Sequence, residues 1–495
     1  MILALDIGSS SVRAGLYSRE AQPEQGLNAR RIYDLSTTAD GGAEVQADFL
    51  FELVCQAIDE VLLKGESSSE EIDAVAISTF WHNMLGLDSA QEPLTPVYSW
   101  ADTRSTRAAE QLKRLLSEES CHARTGTVFH PSFLPAKLLW VRESQPQVWK
   151  RTARWMSFGE YLLLKLFGET VCSISMASGT GLLDQFRCCW DEEILNVLSL
   201  SPERLSPLSD FHTSLQSLRV IYASRWPRLR SVPWFPALGD GACSNIGSGC
   251  FDSKRVALMV GTSGAMRVCL NREPSVIPPG LWCYHVDRRR FLMGGALSNG
   301  GILFEWLHET LRVEDNPEAL EQMISAQSPT AHGLTVLPFL AGERSPGWKG
   351  HARAAIVGLS LHTRPVEILR AGLESVAYRF AKIASLLKKA VPDSVEIVAS
   401  GGALLKSPAW TQIMADVIGQ PMITSAVAEA SSRGAALLAL EAMKIISDFN
   451  QLPNPVGHIY LPDPKKHEIY ANAMNRQDEL YELLVNQMSS STIQN

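Results

Sequence analysis

Two segments of the chain share one pattern: an apolar run, a short turn of glycine and hydroxyl residues, and a second apolar run that carries an arginine. The first copy covers residues 2–13 and the second covers residues 256–267. Glycine in such a turn lets the backbone approach a ligand closely, and successive N–H groups there form a concave anion site. The hydroxyls add donors and the arginine adds a fixed positive charge. The repeat predicts two lobes whose phosphate-binding turns face each other across a cleft and hold a nucleotide.

Length and composition agree with a two-lobed globular protein. At 495 residues the chain exceeds what one hydrophobic core supports. Its formal net charge of −8 argues against a general nucleic-acid binder. The nine cysteines have no metal-ligand spacing, which is typical of reduced thiols in the cytoplasm. No run of about 18 apolar residues and no leader segment is evident, so we expect neither a membrane span nor export.

Apolar periodicity predicts strands that alternate with helices in the first half of the chain. Asp48 is expected to cap a helix that ends at Gly65, and residues 72–78 indicate a buried strand. Asp102 is expected to cap a second helix, which runs to Leu116. This alternation is typical of an α/β layered fold.

A break rich in proline and tryptophan, at residues 225–238, separates the two halves. Long helices are predicted over 365–387 and 408–418, followed by an extended tail over 452–464. A final helix over 466–484 is expected to pack back onto a lobe through Ile469, Ala473, Leu480 and Leu484. The last ten residues are expected to fray.

A third glycine-rich segment, residues 398–407, reads as strand, Gly-Gly turn and helix. It is not a P-loop, because Leu405 precedes Lys406 where that motif requires glycine. One interpretation is a tight turn between strand and helix. The other is a bare backbone surface against which an adenine ring lies, as the two phosphate turns would favour.

Two aspartates have both a structural and a chemical interpretation. Asp240 lies in a Gly-Asp-Gly segment, where it could cap a helix or orient a hydroxyl for attack on a phosphate. Asp6 stands before the first turn, where it could cap the turn or hold hydrated Mg²⁺. From the residues alone both alternatives stay open.

Taken in order, these segments resemble the FGGY carbohydrate kinases of the actin/hexokinase-type ATPase superfamily, from residue 1 to about 485. The matching segments are 6–13 for the first phosphate site, 238–241 for the catalytic aspartate, 260–267 for the second phosphate site, 400–407 with Trp410 for the adenosine site, and 429–436 for a late connecting motif. The resemblance implies a two-lobed α/β fold of ribonuclease H-like lobes with the active site in the interlobe cleft. It also implies an N-terminal lobe over 1–245, a C-terminal lobe over 250–445 and an extension over 446–495.

The same resemblance implies ATP and Mg²⁺ as cofactors and a role for each matching residue. Asp240 is the expected catalytic residue, and Asp6 and Asp240 are the expected metal ligands. The residues expected to bind ATP are Asp6, Gly8, Ser9, Ser10, Ser11, Arg13, Gly261, Thr262, Ser263, Gly301, Gly401, Gly402, Ala403 and Lys406. The residues expected to bind the acceptor are Trp81, His82, Trp100, Asp102, Arg104, His130 and Asp240.

Within the family the chain is most similar to the gluconokinases. The matching segments are residues 100–105, 124–131, 261–267, 294–301 and 340–346. Xylulokinases share a related Trp-x-Asp-x-Arg and Gly-Glu-Arg, so His130-Pro131 and the Ser-Asn-Gly-Gly of 298–301 favour gluconate. Trp81 departs from the family pattern, in which a small residue commonly precedes the histidine.

A charge argument also favours gluconate, because a buried carboxylate needs a cationic or multiply donating partner. His82, Arg104, His130 and Lys137 are available in the first lobe. Alternatively, Arg104 pairs with Asp102, and Lys137 is a solvated helix charge.

Three other functions stay open. The first is a xylulokinase or another pentulose or polyol kinase. The second is a nucleotide-dependent switch on the same fold, which the sugar-side residues disfavour, and the third is a degenerate kinase that acts as a regulator. The expected partner is a small sugar or sugar acid, with a homodimer kept as an alternative to a monomer.

Overall fold

Two mixed β-sheets, one in each half of the chain, organise the computed structural model, which describes residues 1–66, 70–453 and 455–487. The strands are β1 (Ile2–Ile7), β2 (Ser11–Tyr17), β3 (Pro23–Ile32), β4 (Ser36–Thr37), β5 (Ala43–Val45), β6 (Ala74–Thr79), β7 (Leu85–Leu87), β8 (Val97–Tyr98), β9 (Arg154–Met156), β10 (Cys172–Ser173), β11 (Leu183–Asp184), β12 (Cys189–Trp190), β13 (Leu208–Ser209), β14 (Leu238–Gly239), β15 (Arg255–Val260), β16 (Gly264–Leu270), β17 (Trp282–His285), β18 (Phe291–Leu297), β19 (Thr335–Leu337), β20 (Ala355–Val357), β21 (Glu396–Ser400), β22 (Met422–Ser425) and β23 (Val456–Tyr460). The helices are α1 (Ala47–Lys64), α2 (Thr106–Leu115), α3 (Glu118–Thr125), α4 (Leu134–Ser144), α5 (Pro146–Arg151), α6 (Phe158–Phe167), α7 (Ile174–Ser178), α8 (Glu192–Leu198), α9 (Val220–Arg225), α10 (Asp240–Gly247), α11 (Gly301–Leu311), α12 (Pro317–Ser325), α13 (Pro365–Ala390), α14 (Gly402–Leu405), α15 (Pro408–Ile418), α16 (Ala430–Ala442) and α17 (Pro464–Tyr481).

The two sheets repeat one strand order. The first sheet runs β3-β2-β1-β6-β14, and the second contains β18-β16-β15-β21-β22, with β17 and β23 added at its edges. In each sheet an antiparallel hairpin, β1-β2 or β15-β16, is followed on one side by two parallel strands. The repeated turn segments of the sequence therefore head a repeated sheet, and the two-lobed α/β prediction is confirmed.

The central strands of the first sheet are apolar on both faces because helices cover both faces. Every residue of β1 and β6 is buried, as is usual for parallel strands between helical layers. Helix α1 packs against β2 and β3, and α16 packs against β1 and β6. The buried side chains of these elements form one continuous hydrophobic core.

Helix α16 lies in sequence between β22 and β23 of the second sheet but packs on the first. Among the described helices, α16 and α10 form the most extensive pairwise contact. Their backbones meet at Gly247 and Gly434. A Cβ at Gly434 would overlap the carbonyl of Cys243, so only glycine permits this approach. The buried residues 435–440 of α16 belong to the core of the first lobe.

Two predicted helix caps are wrong. Helix α1 begins after Gln46, and Asp48 lies in its first turn, where it accepts hydrogen bonds from Tyr161 and Lys165. Helix α2 begins after Ser105, because the side chain of Asp102 is already engaged by Arg104.

Predicted boundaries elsewhere lie close to the observed ones. Helix α15 matches its prediction, and α13 continues three residues further, to Ala390. The extended tail contains the edge strand β23, and α17 begins at Pro464, with Ile469 exposed rather than packed. Of the segment expected to fray, residues 488–495 lie outside the described residues. Across the described ranges, none of the helices has the length and apolar composition needed to cross a bilayer.

Candidate active site between the lobes

Asp6 and Asp240 lie at one edge of the first sheet. Asp6 is near the end of β1, and Asp240 follows β14 directly. Strand β6 pairs in parallel with both β1 and β14, so the carboxyl ends of all three strands meet at the same edge. This edge is where open α/β sheets bind ligands. The two carboxylates are close enough that the charge of Asp240 raises the pKa of Asp6.

Asp6 is buried and hydrogen-bonded on both oxygens. Ser78 Oγ donates to Oδ1 at 3.0 Å, and Arg13 Nη1 donates to Oδ2 at 3.0 Å. Burial raises the pKa of Asp6 to about 6 and outweighs the opposing charge of Arg13. Arg13 also pairs with Glu429 at 3.2 Å, so two carboxylates share its guanidinium.

The first turn projects from the sheet between β1 and β2. The N–H of Gly8 donates to Ser11 O, and Tyr33 Oη donates to Gly8 O at 2.6 Å. Ser9 is half-buried and Ser10 is exposed, whereas Ser11 is buried within β2. The turn therefore presents the hydroxyls of Ser9 and Ser10 rather than all three predicted serines.

The second turn meets two other glycine segments. Gly301 N–H donates to Gly261 O at 2.7 Å, which joins the start of α11 to the turn between β15 and β16. A Cβ on Gly301 would lie 3.3 Å from the Cβ of Ala403. Gly401 adopts a φ of 89° and packs against the end of β15. These contacts bring together three of the segments predicted to bind ATP.

The other residues predicted to bind ATP, in the second turn and in the third glycine segment, differ in exposure. Thr262, Gly402 and Lys406 are exposed, and a Cβ on Gly402 would meet nothing within 4 Å. Ser263 is half-buried, with its carbonyl bonded to the N–H of Gly261. The segment therefore offers an open, backbone-lined surface next to the second turn.

Asp240 is the first residue of α10, and its carboxylate is held by its own helix. The N–H of Gly241 donates to Oδ1 at 2.8 Å. Burial raises the pKa of Asp240, while the charge of Arg267, two backbone hydrogen bonds and the charge of Arg344 lower it. Arg267 lies on β16 of the other lobe and donates to Gly241 O at 3.2 Å. The carboxylate thus faces cationic groups from the second lobe.

Aromatic rings from both lobes pack beside Asp240. The ring of Tyr284 on β17 lies 5.0 Å from Trp81 and 5.6 Å from His82. Trp81 is buried among Gly179, Gly239 and Gly241, and its Nε1 donates to Ser175 O at 3.0 Å. We call Trp81, His82, Phe133, Tyr284 and Trp348 the aromatic cluster.

Two buried histidines, His82 of the aromatic cluster and the neighbouring His130, are held neutral. Burial lowers the pKa of His82 to about 3 and holds that of His130 well below its usual range, with Arg344 adding to both shifts. His82 adopts a positive φ of 58°, and its Nδ1 lies 2.5 Å from Gly179 O. His130 packs on Trp348 with ring centroids 5.3 Å apart.

His82 is expected to make the fold sensitive to acid. The unfolded chain binds a proton near pH 6.5 that the folded chain resists until about pH 3, so stability falls as pH falls through this range. At pH 5 the loss is roughly 2 kcal/mol. His82→Gln should therefore flatten the fall in Tm between pH 7.5 and pH 5, measured by calorimetry. The same change at exposed His362 should not, and equal slopes in both variants would contradict this expectation.

Arg344 completes the site, and the sequence did not assign it a role. Its guanidinium carbon lies 5.8 Å from the ring centroid of Trp100 and 5.9 Å from that of Trp348. Within the described part of the chain, no carboxylate forms an ion pair with Arg344, and its buried Nε has no hydrogen-bond partner. Tyr284 and Trp348 were also not predicted, and Arg267, predicted as the charge of the second phosphate turn, instead donates to Gly241 O beside Asp240. The only available signal was that Arg267 and Arg344 lie within quoted motifs.

Asp102 and Arg104 form a separate ion-pair cluster. Arg104 pairs with Asp102 and with Glu44, and its guanidinium lies over the rings of Tyr98 and Trp140. Of the two alternatives that the sequence left open for Arg104, the structure shows the one in which it pairs with Asp102. Among the described contacts, none joins either side chain to Asp240.

Lys137, which the sequence suggested to be a solvated helix charge, is instead buried, so that prediction is wrong. Its Nζ donates to the backbone carbonyls of Asp102 and Pro131. Burial lowers the pKa of Lys137 to about 8.

The two carboxylates at the sheet edge suit Mg²⁺ bound together with phosphates. Among the described residues, no group of three or more His, Cys, Asp or Glu is arranged as a metal site. Mg²⁺ commonly keeps several waters and takes one or two carboxylates plus substrate phosphates. Asp6 and Asp240 therefore fit a hydrated ion.

Comparisons with known proteins agree with this architecture. The chain matches the model of the FGGY family of carbohydrate kinases, N-terminal domain, over residues 1–247, and the C-terminal domain over residues 256–443. It is 27% identical to a gluconokinase of Bacillus subtilis, over 94% of this chain and 91% of the relative. The crystal structures of a gluconate kinase and of a ligand-bound xylulose kinase, both from Lactobacillus acidophilus, each superpose with a TM-score of 0.91, 28% identity and 98% coverage of both chains.

Proposed function

Because the chain belongs to the FGGY family of carbohydrate kinases, we propose that it transfers the γ-phosphoryl group of ATP to the terminal hydroxyl of D-gluconate, giving 6-phosphogluconate. The observation that carries the choice of acceptor is the charge balance beside Asp240. Arg267 and Arg344 face one carboxylate, and the adjoining His82 is neutral. A site with excess positive charge and an unpaired guanidinium suits an acceptor that carries a carboxylate.

In this proposal Asp240 orients the hydroxyl and accepts its proton. The hydroxyl oxygen forms a bond to the γ-phosphorus, the bond from that phosphorus to the β–γ bridging oxygen breaks, and ADP leaves. Phosphoryl transfer has a loose transition state, so positioning contributes more than base strength. Bound Mg²⁺ would neutralise charge on the phosphates, and Asp6 and Asp240 are the residues that would hold it.

The phosphates of ATP are assigned to the two turns, and the nucleoside to the third glycine segment. The support is the contact of Gly261 with Gly301 and of Gly301 with Ala403, next to the open backbone at Gly401 and Gly402. Gly8, Ser9 and Ser10 would face the phosphates from the first lobe. Lys406, which follows α14 and is exposed, would border the nucleoside from the solvent side.

The acceptor is assigned to the space beside the aromatic cluster. Trp81, His82, Trp100 and His130 stay in the proposal together with Arg344. Asp102 and Arg104 keep only an indirect role, since the guanidinium of Arg104 is already engaged by the carboxylates of Asp102 and Glu44. The lobe boundaries 1–245, 250–445 and 446–495 and the cytoplasmic location also stay predictions.

Xylulose is the second acceptor to be considered. The ligand-bound xylulose kinase from Lactobacillus acidophilus matches this chain as well as the gluconate kinase does. Xylulose carries no charge, so it would leave the guanidinium of Arg344 without an anionic partner.

An acceptor panel tests the proposal directly. Release of ADP from ATP is measured in a coupled assay with gluconate, xylulose, ribulose, glycerol and glucitol. Gluconate should give a kcat/KM at least about tenfold above glucitol, because glucitol has the same chain length but lacks the carboxylate. Turnover of a ketose with background activity on gluconate would reject gluconate as the acceptor.

A further inference from the structure

The loop that carries Arg344 belongs to the second lobe but contacts the first. We call residues 343–348 the acceptor loop. Its Trp348 packs against His130 and Phe133, with ring centroids 5.3 and 5.9 Å apart, and Trp348 Nε1 donates to Gly280 O at 3.1 Å. On this side the loop places the guanidinium carbon of Arg344 5.8 Å from the ring centroid of Trp100 and 5.9 Å from that of Trp348. The position of the loop therefore determines where the unpaired guanidinium lies.

Glu343 anchors the acceptor loop on its other side. Its carboxylate is buried and forms an ion pair with Arg379 of α13, whose side chain is also buried. The N–H of Gly347 donates to Glu343 Oε1 at 3.3 Å, which ties the two ends of the loop together. A buried carboxylate with several donors is held in one orientation, because losing a donor leaves an unsatisfied charge.

A third donor to Glu343 comes from the C-terminal helix. Tyr481, the last residue of α17, donates from Oη to Glu343 Oε2 at 2.6 Å. Its ring lies 4.9 Å from the guanidinium carbon of Arg379. The acceptor loop passes so close to this hydrogen bond that a Cβ on Gly347 would collide with both Tyr481 Oη and Glu343 Oε2. The match to the family's C-terminal domain ends at residue 443, well before this helix.

We propose that Tyr481 positions the acceptor loop through Glu343, so that α17 controls acceptor binding without touching the acceptor. Removing the hydroxyl leaves Glu343 Oε2 without its short hydrogen bond and loosens the loop that carries Arg344 and Trp348. The turns assigned to ATP are not part of this contact. The inference rests on the proposed function only for the identity of the acceptor.

Tyr481→Phe, compared with Tyr470→Phe, tests the proposal. Tyr470 is a buried tyrosine of the same helix, and its Oη donates to Glu374 at 3.2 Å and accepts from Arg370 at 3.1 Å. Both changes remove one hydroxyl from a buried charged network and keep the ring. Tyr481→Phe should raise KM for the acceptor about tenfold, the value of one hydrogen bond to a charged group, with KM for ATP within about twofold of the wild type. Tyr470→Phe should lower Tm and leave both KM values within about twofold.

Hydrogen exchange gives a second readout that needs no acceptor. Backbone amides of residues 343–349 should exchange faster in Tyr481→Phe than in the wild type, and should be unchanged in Tyr470→Phe. Gly347→Ala, which pushes on the same contact from the loop, should repeat both effects and serves if Tyr481→Phe does not fold.

The outcomes separate this inference from the proposed function. The wild-type panel decides the acceptor, and the variants are then compared on whichever acceptor the wild type uses. Equal effects of Tyr481→Phe and Tyr470→Phe on acceptor KM, or unchanged exchange over 343–349, would overturn the positioning role even if gluconate is the acceptor.

Discussion

Asp240→Asn is expected to lower kcat by at least about 10²-fold, the low end of what a positioned general base contributes. The amide keeps the shape of the carboxylate and can still accept from the N–H of Gly241, but it cannot take the proton of the acceptor hydroxyl. Affinity for ATP should stay within about threefold, because the turns assigned to ATP are unchanged and Asp6, water and the phosphates remain to hold Mg²⁺. Steady-state kinetics with gluconate and calorimetric titration with ATP measure the two quantities.

Asp210 offers a matched control for this substitution. Its Oδ1 accepts from the N–H of the next residue, Phe211, at 2.9 Å, just as Asp240 accepts from Gly241, but Asp210 lies outside the site. Asp210→Asn should therefore leave kcat within about twofold. Retention of more than a tenth of wild-type turnover by Asp240→Asn would refute the role assigned to Asp240.

Arg344→Gln is expected to raise KM for gluconate about 10- to 100-fold. A charge-assisted hydrogen bond to a carboxylate contributes about 1.5–3 kcal/mol, and glutamine keeps a donor but loses the charge. KM for neutral acceptors such as glucitol should rise much less, because they present no anion to the guanidinium. Initial rates over a range of both acceptors, at saturating ATP, measure the difference.

The informative quantity is the ratio between the increase in KM for gluconate and the increase in KM for glucitol. Arg353→Gln, at an exposed arginine further along the same segment, should change neither KM by more than about twofold. If Arg344→Gln raised KM equally for gluconate and glucitol, the guanidinium would be donating a hydrogen bond to a hydroxyl group that both acceptors carry. The charge argument for a sugar acid would then fail.

The fold was predictable because its main signals are local and occur twice. The strand–turn–strand segments at 2–13 and 256–267 predicted two lobes, and both head sheets of the same order. The cap at Asp48 was wrong because a distant residue, Tyr161, engages that carboxylate, and local propensity contains no information about such a partner. The cap at Asp102 was wrong because Arg104, only two residues away, takes the carboxylate instead, which the sequence did offer as an alternative.

The site was only partly predictable because half of it comes from the other lobe. Asp6 and Asp240 follow from motifs, and strand pairing through β6 accounts for their proximity. Arg344 lies in a quoted motif, but its importance depends on the absence of a partner, which only the three-dimensional arrangement of the described residues reveals. Lys137 illustrates the reverse case, since its charge is enclosed by backbone carbonyls that sequence periodicity cannot indicate.

The placement of α16 on the first sheet has a consequence for biosynthesis. The core of the first lobe includes residues 435–440, yet the strands that they cover are made first, beginning at residue 2. While the ribosome is translating the second lobe, β1 and β6 lack the helix that shields one of their faces. The core of the first lobe can therefore be completed only near the end of translation, after residues 435–440 have been made.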